Sequence, residues 1–295
     1  MITIIGATGN TGKAVAEQLL KSGEKIRALG RSADKLKSLV DQGAEIMIGD
    51  TTDAAYLTTA FRGADAVYTL LPDDFQSTDH RAFQDKMGEA ITKAIRESGV
   101  KHVVFVSSLG ADLSDGTGLI AALHAQEARL RTLIGVNVLV FRCGWFFENF
   151  FGSLGLIKHQ GINGGAIAPD VRMAMIAGRD IAVAAAKALK QRDFSGFVVR
   201  ELLGERHLTF AEATRILGAR LGKPELPYVQ FSYADMTKAF VQMGFSQNVA
   251  ELFVEMSRAF NEGKIKSLEG RSPANTTPTR FEAFADELAK AYQAM

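Results

Sequence analysis

Cysteine is almost absent from the sequence, which contains only Cys143 among its 295 residues. A single cysteine excludes an internal disulfide and a cysteine-built zinc site, and it is typical of proteins in a reducing compartment. No histidines and carboxylates cluster with metal-ligand spacing either, so we expect no metal ion. The sequence leaves open whether Cys143 is reactive or only packed.

An excess of charge of either sign is also lacking. The 34 lysine and arginine residues nearly balance the 33 aspartate and glutamate residues, for a formal net charge of +1 at pH 7. Such a balanced chain sets up no strong field toward nucleic acid or an acidic membrane surface. We therefore expect neither nucleic acid nor a membrane among its partners.

Long apolar runs are missing as well. The most apolar stretch, residues 133–151, is a poor bilayer span because polar residues interrupt it: Asn137, Arg142, Glu148 and Asn149. The first predicted strand begins at the second residue, which leaves no space for a signal peptide. The composition, with 47% hydrophobic and 23% charged residues, is that of a globular protein. Together these features predict a cytoplasmic protein.

The first twelve residues carry the clearest motif. Residues 2–5 are apolar and β-branched, the glycine run Gly6-Ala-Thr-Gly9-Asn-Thr-Gly12 follows, and residues 13–21 have helical spacing. Strand, glycine turn and helix in this order predict a dinucleotide-phosphate site, although an ordinary turn has the same pattern. Gly6 would permit the tight turn, Gly9 the approach of a pyrophosphate, and Gly12 the packing of helix on strand. The predicted cofactor contacts here are Gly6, Thr8, Gly9, Asn10, Thr11 and Gly12.

The end of the second predicted strand indicates which dinucleotide binds. NAD-binding folds usually place an acid there to hold the adenosine ribose, whereas this chain has Gly30 and Arg31. The missing carboxylate removes a repulsion of the 2′-phosphate, and Arg31 offers a fork of donors to it. Ser32 and Lys35 can join the same pocket. The sequence therefore favours NADP(H) over NAD(H), the alternative being that Arg31 is a solvated loop residue.

Strands and helices alternate at intervals of twenty to thirty residues up to about residue 150. This alternation predicts an α/β fold, a Rossmann-type doubly wound parallel sheet with a smaller, mainly helical C-terminal lobe. We assign residues 1–150 to a NAD(P)-binding domain and 151–295 to a smaller substrate or partner lobe, with segments around 170–205 returning to the first domain. Three capping signatures predict helices in the last ninety residues, and they begin at Thr209, Ser232 and Thr279.

The carboxyl ends of the predicted strands supply further candidate residues, because right-handed crossovers bring these ends to one rim. Asp50 or Thr51 can face the adenine, while Asp53 is predicted to cap the following helix. The ribose and nicotinamide would be lined by residues at the ends of strands four and five: Leu70, Leu71, Pro72 and Ser107. Residues 109–119, rich in glycine and serine, are predicted to form a mobile loop.

An aromatic segment follows the sixth predicted strand, with five aromatic residues within seven positions of 145–151. Trp145, Phe146 and Phe147 would stack on a flat substrate, and Asn149 or Glu148 would hydrogen-bond to it. Packing between the lobes is the competing explanation for most of these rings.

Taken together, the motifs resemble those of the atypical short-chain dehydrogenases/reductases of the NmrA-like group. The matching segments, up to about residue 230, are the glycine turn, Arg27-Ala-Leu-Gly-Arg31, Gly49-Asp50, Leu71-Pro72, Arg142-x-Gly-Trp-Phe-x-Glu-Asn149, Asp180-Ile-Ala182, and Glu201-Leu-Leu-Gly through Leu208-Thr-Phe-Ala-Glu212. The pattern is most similar to bacterial NADPH-dependent quinone oxidoreductases. The resemblance implies a cleft between a Rossmann lobe and a small helical lobe.

One departure from most short-chain dehydrogenases bears on the chemistry. Their Tyr-x-x-x-Lys acid/base pair is missing, because none of the five tyrosines has a lysine four residues later: 56, 68, 228, 233 and 292. A quinone suits this absence, since it accepts hydride readily and the cofactor carries the chemistry. His124, in the region of the family's helical acid/base, is the predicted proton donor, with a helix-surface histidine as the alternative.

Two functions remain open on these grounds. The first is an NADPH-dependent reductase of a quinone or a similar flat, electron-poor molecule. The second is a non-catalytic NAD(P)-binding redox sensor of NmrA type, which would act on a protein partner. The sequence also leaves a homodimer open.

Overall fold

Parallel strands form the centre of the computed structural model, which describes residues 1–295. The chain forms twelve strands: β1 (Ile2–Ile4), β2 (Ile26–Gly30), β3 (Glu45–Ile48), β4 (Ala66–Thr69), β5 (His102–Ser108), β6 (Asn137–Cys143), β7 (Trp145–Phe146), β8 (Asn163–Gly165), β9 (Met173–Ile176), β10 (Phe197–Leu202), β11 (His207–Leu208) and β12 (Tyr228–Gln230). Seven of them form one parallel sheet in the order β10-β6-β5-β4-β1-β2-β3. The strand order reverses between β1 and β4, which is where such sheets open a ligand crevice.

Eleven α-helices connect and cover the strands. They are α1 (Asn10–Lys21), α2 (Ala33–Val40), α3 (Ala54–Phe61), α4 (His80–Ser98), α5 (Ile120–Arg131), α6 (Leu154–Gln160), α7 (Gly178–Gln191), α8 (Phe210–Arg220), α9 (Tyr233–Gln242), α10 (Gln247–Asn261) and α11 (Phe281–Ala294). Helices α1 and α7 pack on one face of the large sheet, and α3, α4 and α5 pack on the other. The predicted Rossmann-type doubly wound fold is confirmed.

Alternation along β1 shows how the sheet separates its two cores. Ile2 and Ile4 are buried against α1 and α7. Thr3, between them, points to the opposite face, where its hydroxyl donates to the carbonyl of Ala60 at 3.1 Å. Because successive side chains of a strand alternate sides, both faces of the sheet are covered and apolar.

The C-terminal lobe has a core of its own, built from α6, α8, α10 and α11 with a short 3₁₀ segment, Phe147–Ser153. Two small sheets support it, one in the order β11-β9-β7 and the other β12-β8. Residues 173–202 cross between the lobes: β9 lies in the small sheet, α7 packs along α1, and β10 pairs with β6 at the edge of the large sheet.

Most of the predicted helix ends are observed. The Asp53 carboxylate accepts from the amides of Ala55 and Tyr56 at the start of α3. Gly99 ends α4 with a φ of 81°, a left-handed conformation that glycine adopts without strain. Thr209 forms a complete capping box with Glu212.

The predicted cap at Thr279 is wrong. Helix α11 begins at Phe281, and the Thr279 hydroxyl donates to Oδ1 of Asp180 at 2.7 Å. The amide of Thr279 also donates to the same carboxylate, at 2.9 Å. A buried carboxylate needs hydrogen-bond donors more than an exposed helix end needs a cap, so the long-range contact prevails over the local pattern.

Residues 109–119 contain neither helix nor strand, as their composition predicts, but they pack closely against the C-terminal lobe. A β-carbon at Gly118 would lie 2.0 Å from the carbonyl oxygen of Leu252 in α10. The Ile265 side chain packs over Gly110, 3.0 Å from the ideal β-carbon position. This loop is therefore part of the junction between the lobes. No helix in the structure is both long and apolar enough to cross a bilayer.

Candidate functional site

The glycine turn between β1 and α1 has the geometry of a phosphate-binding turn. Gly6 has a φ of 70°, and its carbonyl accepts from the amide of Gly9 at 2.9 Å. A β-carbon at Gly12 would lie only 2.2 Å from the Gly6 carbonyl oxygen, so α1 approaches the strand too closely for any other residue. The roles predicted for Gly6 and Gly12 in the turn and the packing are thus observed.

The first turn of α1 faces outward without a cap. Its N-cap residue, Gly9, has no side chain to accept from the helix amides, and no acidic residue occupies the first turn. Thr8, Gly9 and Asn10 are exposed. The free N–H groups and the positive end of the helix dipole can therefore receive a phosphate.

Thr11 lies on the inner side of this turn. It is buried, and its hydroxyl accepts a hydrogen bond from Tyr68 at 2.9 Å. Burial raises the pKa of the Tyr68 phenol, which suits a structural donor rather than an acid/base group. Thr11 therefore fixes α1 to β4 instead of reaching a ligand through its side chain.

The end of β2 lies beside the glycine turn. An ideal β-carbon at Gly30 would contact Thr8, at 3.5 Å, and Leu36, at 3.0 Å. Arg31 and Lys35 follow, both exposed and neither in an ion pair. The Ser32 side chain makes no capping hydrogen bond to α2. These unengaged donors stand next to the turn, as a site for a 2′-phosphate requires.

The end of β3 is polar but occupied locally. Asp50 is exposed, and its carboxylate accepts from the amide of Thr52 at 2.8 Å, which closes a tight turn. Thr51 is half-buried beside it. Neither side chain hydrogen-bonds to the glycine turn, and their part in adenine binding stays a prediction.

The residues at the end of β4 form the apolar surface beside the glycine turn. The Leu70 side chain lies 3.2 Å from the ideal β-carbon position of Gly6, directly beside the turn. Leu71, by contrast, is buried in the core beneath α3 and α4. Pro72 is half-buried, and its carbonyl accepts from Gln84 Nε2 at 3.0 Å. Leu70 and Pro72 thus border the site, whereas Leu71 supports it from behind.

A polar cluster after β4 was missed by the sequence reasoning. His80 is buried, with its Nε2 3.1 Å from Oδ1 of Asp73, and its amide donates to Oδ1 of Asn248 at 2.9 Å. Gln84, one helical turn after His80, also reaches Asp73. The cluster ties the β4–α4 loop to α10. The only local indication of this cluster in the sequence is the spacing of His80 and Gln84 at the start of a helix. Their distant partner, Asn248, has no sequence pattern that links it to them.

A second polar cluster, which we call the Glu127 anchor, consists of Ser107, Glu127 and Arg142. Ser107 is buried at the end of β5, and its hydroxyl donates to Oε1 of Glu127 at 2.7 Å. Arg142 of β6 donates to both oxygens of Glu127, from Nε at 3.0 Å and from Nη2 at 2.6 Å. Ser107 is thus engaged within the protein, and the sequence pattern did not point to Glu127.

His124 lies on α5, one turn before Glu127. Its Nδ1 is 2.9 Å from the carbonyl oxygen of Ala111 in the 109–119 loop. A carbonyl can only accept, so Nδ1 carries a proton and Nε2 is the nitrogen available to a substrate. The side chain is half-buried. This arrangement favours a held, oriented imidazole over a free surface histidine.

The aromatic segment divides between surface and core. Trp145 and Phe146 are half-buried in β7, and Trp145 meets the rings of Phe210 and Phe260 edge-on. Phe147, however, is 1% exposed and packs against two aromatic rings of α11. The structure places Phe147 in the core of the C-terminal lobe, because the 3₁₀ segment that begins there turns its ring inward.

The polar residues of this segment also separate. The Glu148 carboxylate accepts from the amide of Gly178 at 2.9 and 3.0 Å, at the start of α7, and burial raises its pKa. Asn149 is exposed and has no hydrogen-bond partner. Glu148 is therefore a structural acceptor, and only Asn149 remains available to a ligand.

Cys143 is fully enclosed beneath the site. Burial raises the pKa of its thiol well above the usual value, so a reactive thiolate is disfavoured. The residue is a packed core side chain. No group of three or more histidine, cysteine or carboxylate side chains is arranged to hold a metal ion.

Known proteins match the chain over nearly its whole length. The NmrA-like family matches residues 1–285. Quinone oxidoreductase 2 of Escherichia coli (strain K12) is 30% identical over 267 residues, which cover 90% of this chain and 90% of that protein. The crystal structure of an NADPH-dependent quinone oxidoreductase from Escherichia coli, complexed with NADPH, superimposes with a TM-score of 0.80 at 26% identity and covers 100% of this chain and 99% of that one. The negative transcriptional regulator NmrA in complex with NADP has the same fold, with a TM-score of 0.69 at 16% identity, covering 98% of this chain and 91% of that one.

The tight contact at Gly12 makes a first prediction. Gly12→Ala forces a methyl group into the Gly6 carbonyl and should lower the free energy of unfolding by about 1–3 kcal/mol, and dinucleotide binding should weaken in parallel. Urea denaturation and calorimetric titration measure the two effects. Gly155→Ala, in α6 with open space around its β-carbon, is the control and should be neutral or stabilising. Equal behaviour of the two variants would contradict the prediction.

Proposed function

The chain belongs to the NmrA-like family, and on that premise we propose that it is an NADPH-dependent reductase that transfers hydride to a quinone or a similar flat, electron-poor molecule. The observation that carries the proposal is the uncapped first turn of α1, which stands next to the unpaired Arg31 at the carboxyl edge of the sheet. The likeness to quinone oxidoreductase 2 of Escherichia coli, over 90% of the chain, supports the choice of acceptor.

The residues at the edge fit a dinucleotide phosphate. The amides of the first turn of α1 would bind the pyrophosphate, because Gly9 leaves the approach to them open. Arg31, Ser32 and Lys35 would bind the 2′-phosphate of the adenosine ribose. No carboxylate at the end of β2 repels that group, which is why NADP(H) is preferred over NAD(H).

The chemistry divides between cofactor and protein. Bound NADPH supplies the hydride. The protein aligns the acceptor: Trp145 and Phe146 offer ring faces and Asn149 offers an amide. His124 would donate the accompanying proton from Nε2 in its imidazolium form, and Nδ1–H would stay on the Ala111 carbonyl before and after the transfer.

The positions of the tyrosines favour a reaction that does not use a tyrosine phenol as general acid. Three of the five phenols donate hydrogen bonds inside the protein, those of Tyr56, Tyr68 and Tyr228, and the phenol of Tyr233 accepts one from Asn261. Burial raises the pKa of Tyr56 to about 12. A ketone would need a strong acid at this place, whereas a quinone does not, because its reduction yields an aromatic product. A non-catalytic redox sensor is the alternative that the missing Tyr-x-x-x-Lys pair also fits.

The proposed activity can be measured directly. NADPH oxidation, followed at 340 nm, should be accelerated by the protein in the presence of simple benzoquinones and naphthoquinones. Calorimetric titration of NADPH and NADH under the same conditions separates binding from turnover. Tight NADPH binding without turnover of any acceptor would contradict the reductase and favour the sensor.

Arg31 should determine the choice of dinucleotide. Arg31→Ala should weaken NADPH binding about tenfold, because a charge-assisted hydrogen bond is lost at a solvent-exposed site. NADH binding should be nearly unchanged. Arg96→Ala, an exposed arginine at the opposite edge of the sheet, is the control and should affect neither dinucleotide. Equal losses for NADPH and NADH would show that Arg31 does not bind the 2′-phosphate.

His124 should act on turnover and not on cofactor binding. His124→Ala should lower kcat with a quinone about tenfold, at the low end of general acid catalysis, because a quinone needs little assistance. The KM for NADPH should stay the same. His159→Ala, exposed near the end of α6, serves as the matched histidine control. An unchanged kcat in the His124 variant would exclude it as proton donor.

A further inference from the structure

The Glu127 anchor contains a buried ion pair that the proposed reaction does not use. The side chains of Glu127 and Arg142 are 5% and 12% exposed. Removing two charges from water is costly, and an apolar pair of similar size commonly holds two elements together as well or better. Stability is therefore a poor explanation for the pair. Its fixed, two-pronged geometry is the feature that an apolar pair would not supply.

Helix α5 and the 109–119 loop, which together hold His124, both contact the guanidinium of Arg142. The backbone of His124 belongs to α5, where Glu127 follows at a spacing that places both side chains on neighbouring parts of the helix surface. The ring of His124 is held by the carbonyl of Ala111. The next residue in that loop, Asp112, has its carboxylate 3.8 Å from Nη1 of Arg142. Arg142 thus links the helix and the loop.

The sheet holds Arg142 in turn. Arg142 is in register with Ser107 on β5 and with Glu201 on β10, and in-register neighbours share a face of the sheet. Glu201 is buried and accepts from the amide of Leu268, in the C-terminal lobe, at 2.7 Å. Burial alone would lower the pKa of Arg142, but the hydrogen bonds and charge of Glu127 raise it, so the guanidinium stays charged.

We propose that Glu127 and Arg142 are positioning residues for His124. The pair fixes α5 and the 109–119 loop relative to each other, so the imidazole keeps its Nδ1–H on Ala111 and presents Nε2 to the substrate. The catalytic meaning of this inference rests on the proposed function. Neither positioning residue contacts the reacting atoms.

The variant must separate positioning from folding. A single substitution leaves an uncompensated buried charge, which by itself can unfold the chain. The informative variant is the double substitution Glu127→Leu with Arg142→Met, which removes both charges and keeps the volume. The matched control is Asp85→Leu with Arg129→Met, because that ion pair joins the same helix, α5, to α4 instead of to the sheet edge.

The tautomer of His124 gives a readout that does not depend on turnover. Nitrogen-15 NMR of the imidazoles in the full-length chain should show the Nδ1–H tautomer for His124 in the native protein and in the control. In the Glu127/Arg142 double variant it should shift toward the Nε2–H tautomer, which free imidazole side chains prefer. A folded double variant that keeps the Nδ1–H tautomer would overturn the proposal.

Kinetics supplies the second readout. In the double variant kcat with a quinone should fall about tenfold or more, because a small misplacement of a catalytic group is costly, while the KM for NADPH is unchanged. A fall in kcat with an unchanged tautomer would also contradict positioning. A native protein without turnover would contradict the proposed function, yet the NMR test would still decide the inference. If the double variant does not fold, Arg142→Lys, which keeps the charge but loses the fork, carries both readouts.

Discussion

The contact between Gly12 and the carbonyl of Gly6 is the constraint on which the rest of the structure depends. Because this contact admits no β-carbon, α1 starts immediately above the end of β1 and points its free amides out of the sheet edge. The hydrogen bond from Tyr68 to Thr11 then fixes the helix to β4. The apolar face of α1 packs on α7, which carries the chain from the C-terminal lobe to β10.

Besides apolar packing, buried polar groups join the two lobes at three places. In each case a side chain accepts a hydrogen bond from a backbone amide: Asn248 from His80, Asp180 from Thr279, and Glu201 from Leu268. Each of these contacts has a strict direction and distance, whereas apolar packing tolerates small slips. The residues that the Rossmann lobe contributes to these contacts, His80, Asp180 and Glu201, lie at the carboxyl edge of the large sheet or beside it. A dinucleotide there would therefore contact a surface whose geometry is set by both lobes.

The sequence predicted the parts of the fold that depend on local chemistry. The glycine turn, the cap at Asp53 and the left-handed Gly99 follow from what a few consecutive residues can adopt, and the strand alternation follows from burial. The predictions that proved wrong concern residues whose side chains contact residues far away in the sequence. Thr279 has a capping pattern but binds Asp180, and Phe147 looks like a substrate platform but lies under α11. The bond between Glu127 and Arg142 spans fifteen residues and two elements, and no local spacing reveals it.

The chemistry that the carboxyl edge of the sheet can support depends on which of its side chains are buried or paired and which are free. A phenol is a better acid when a neighbouring cation stabilises its anion, whereas the buried phenols of Tyr56, Tyr68 and Tyr228 have pKa values raised by burial. Arg142 at this edge is paired with both oxygens of Glu127, so it is not free to stabilise a phenolate. What remains is the imidazole of His124, oriented by the Ala111 carbonyl, together with the partly exposed rings of Trp145 and Phe146. These groups can orient a bound molecule and hydrogen-bond to it, but they do not stabilise a phenolate.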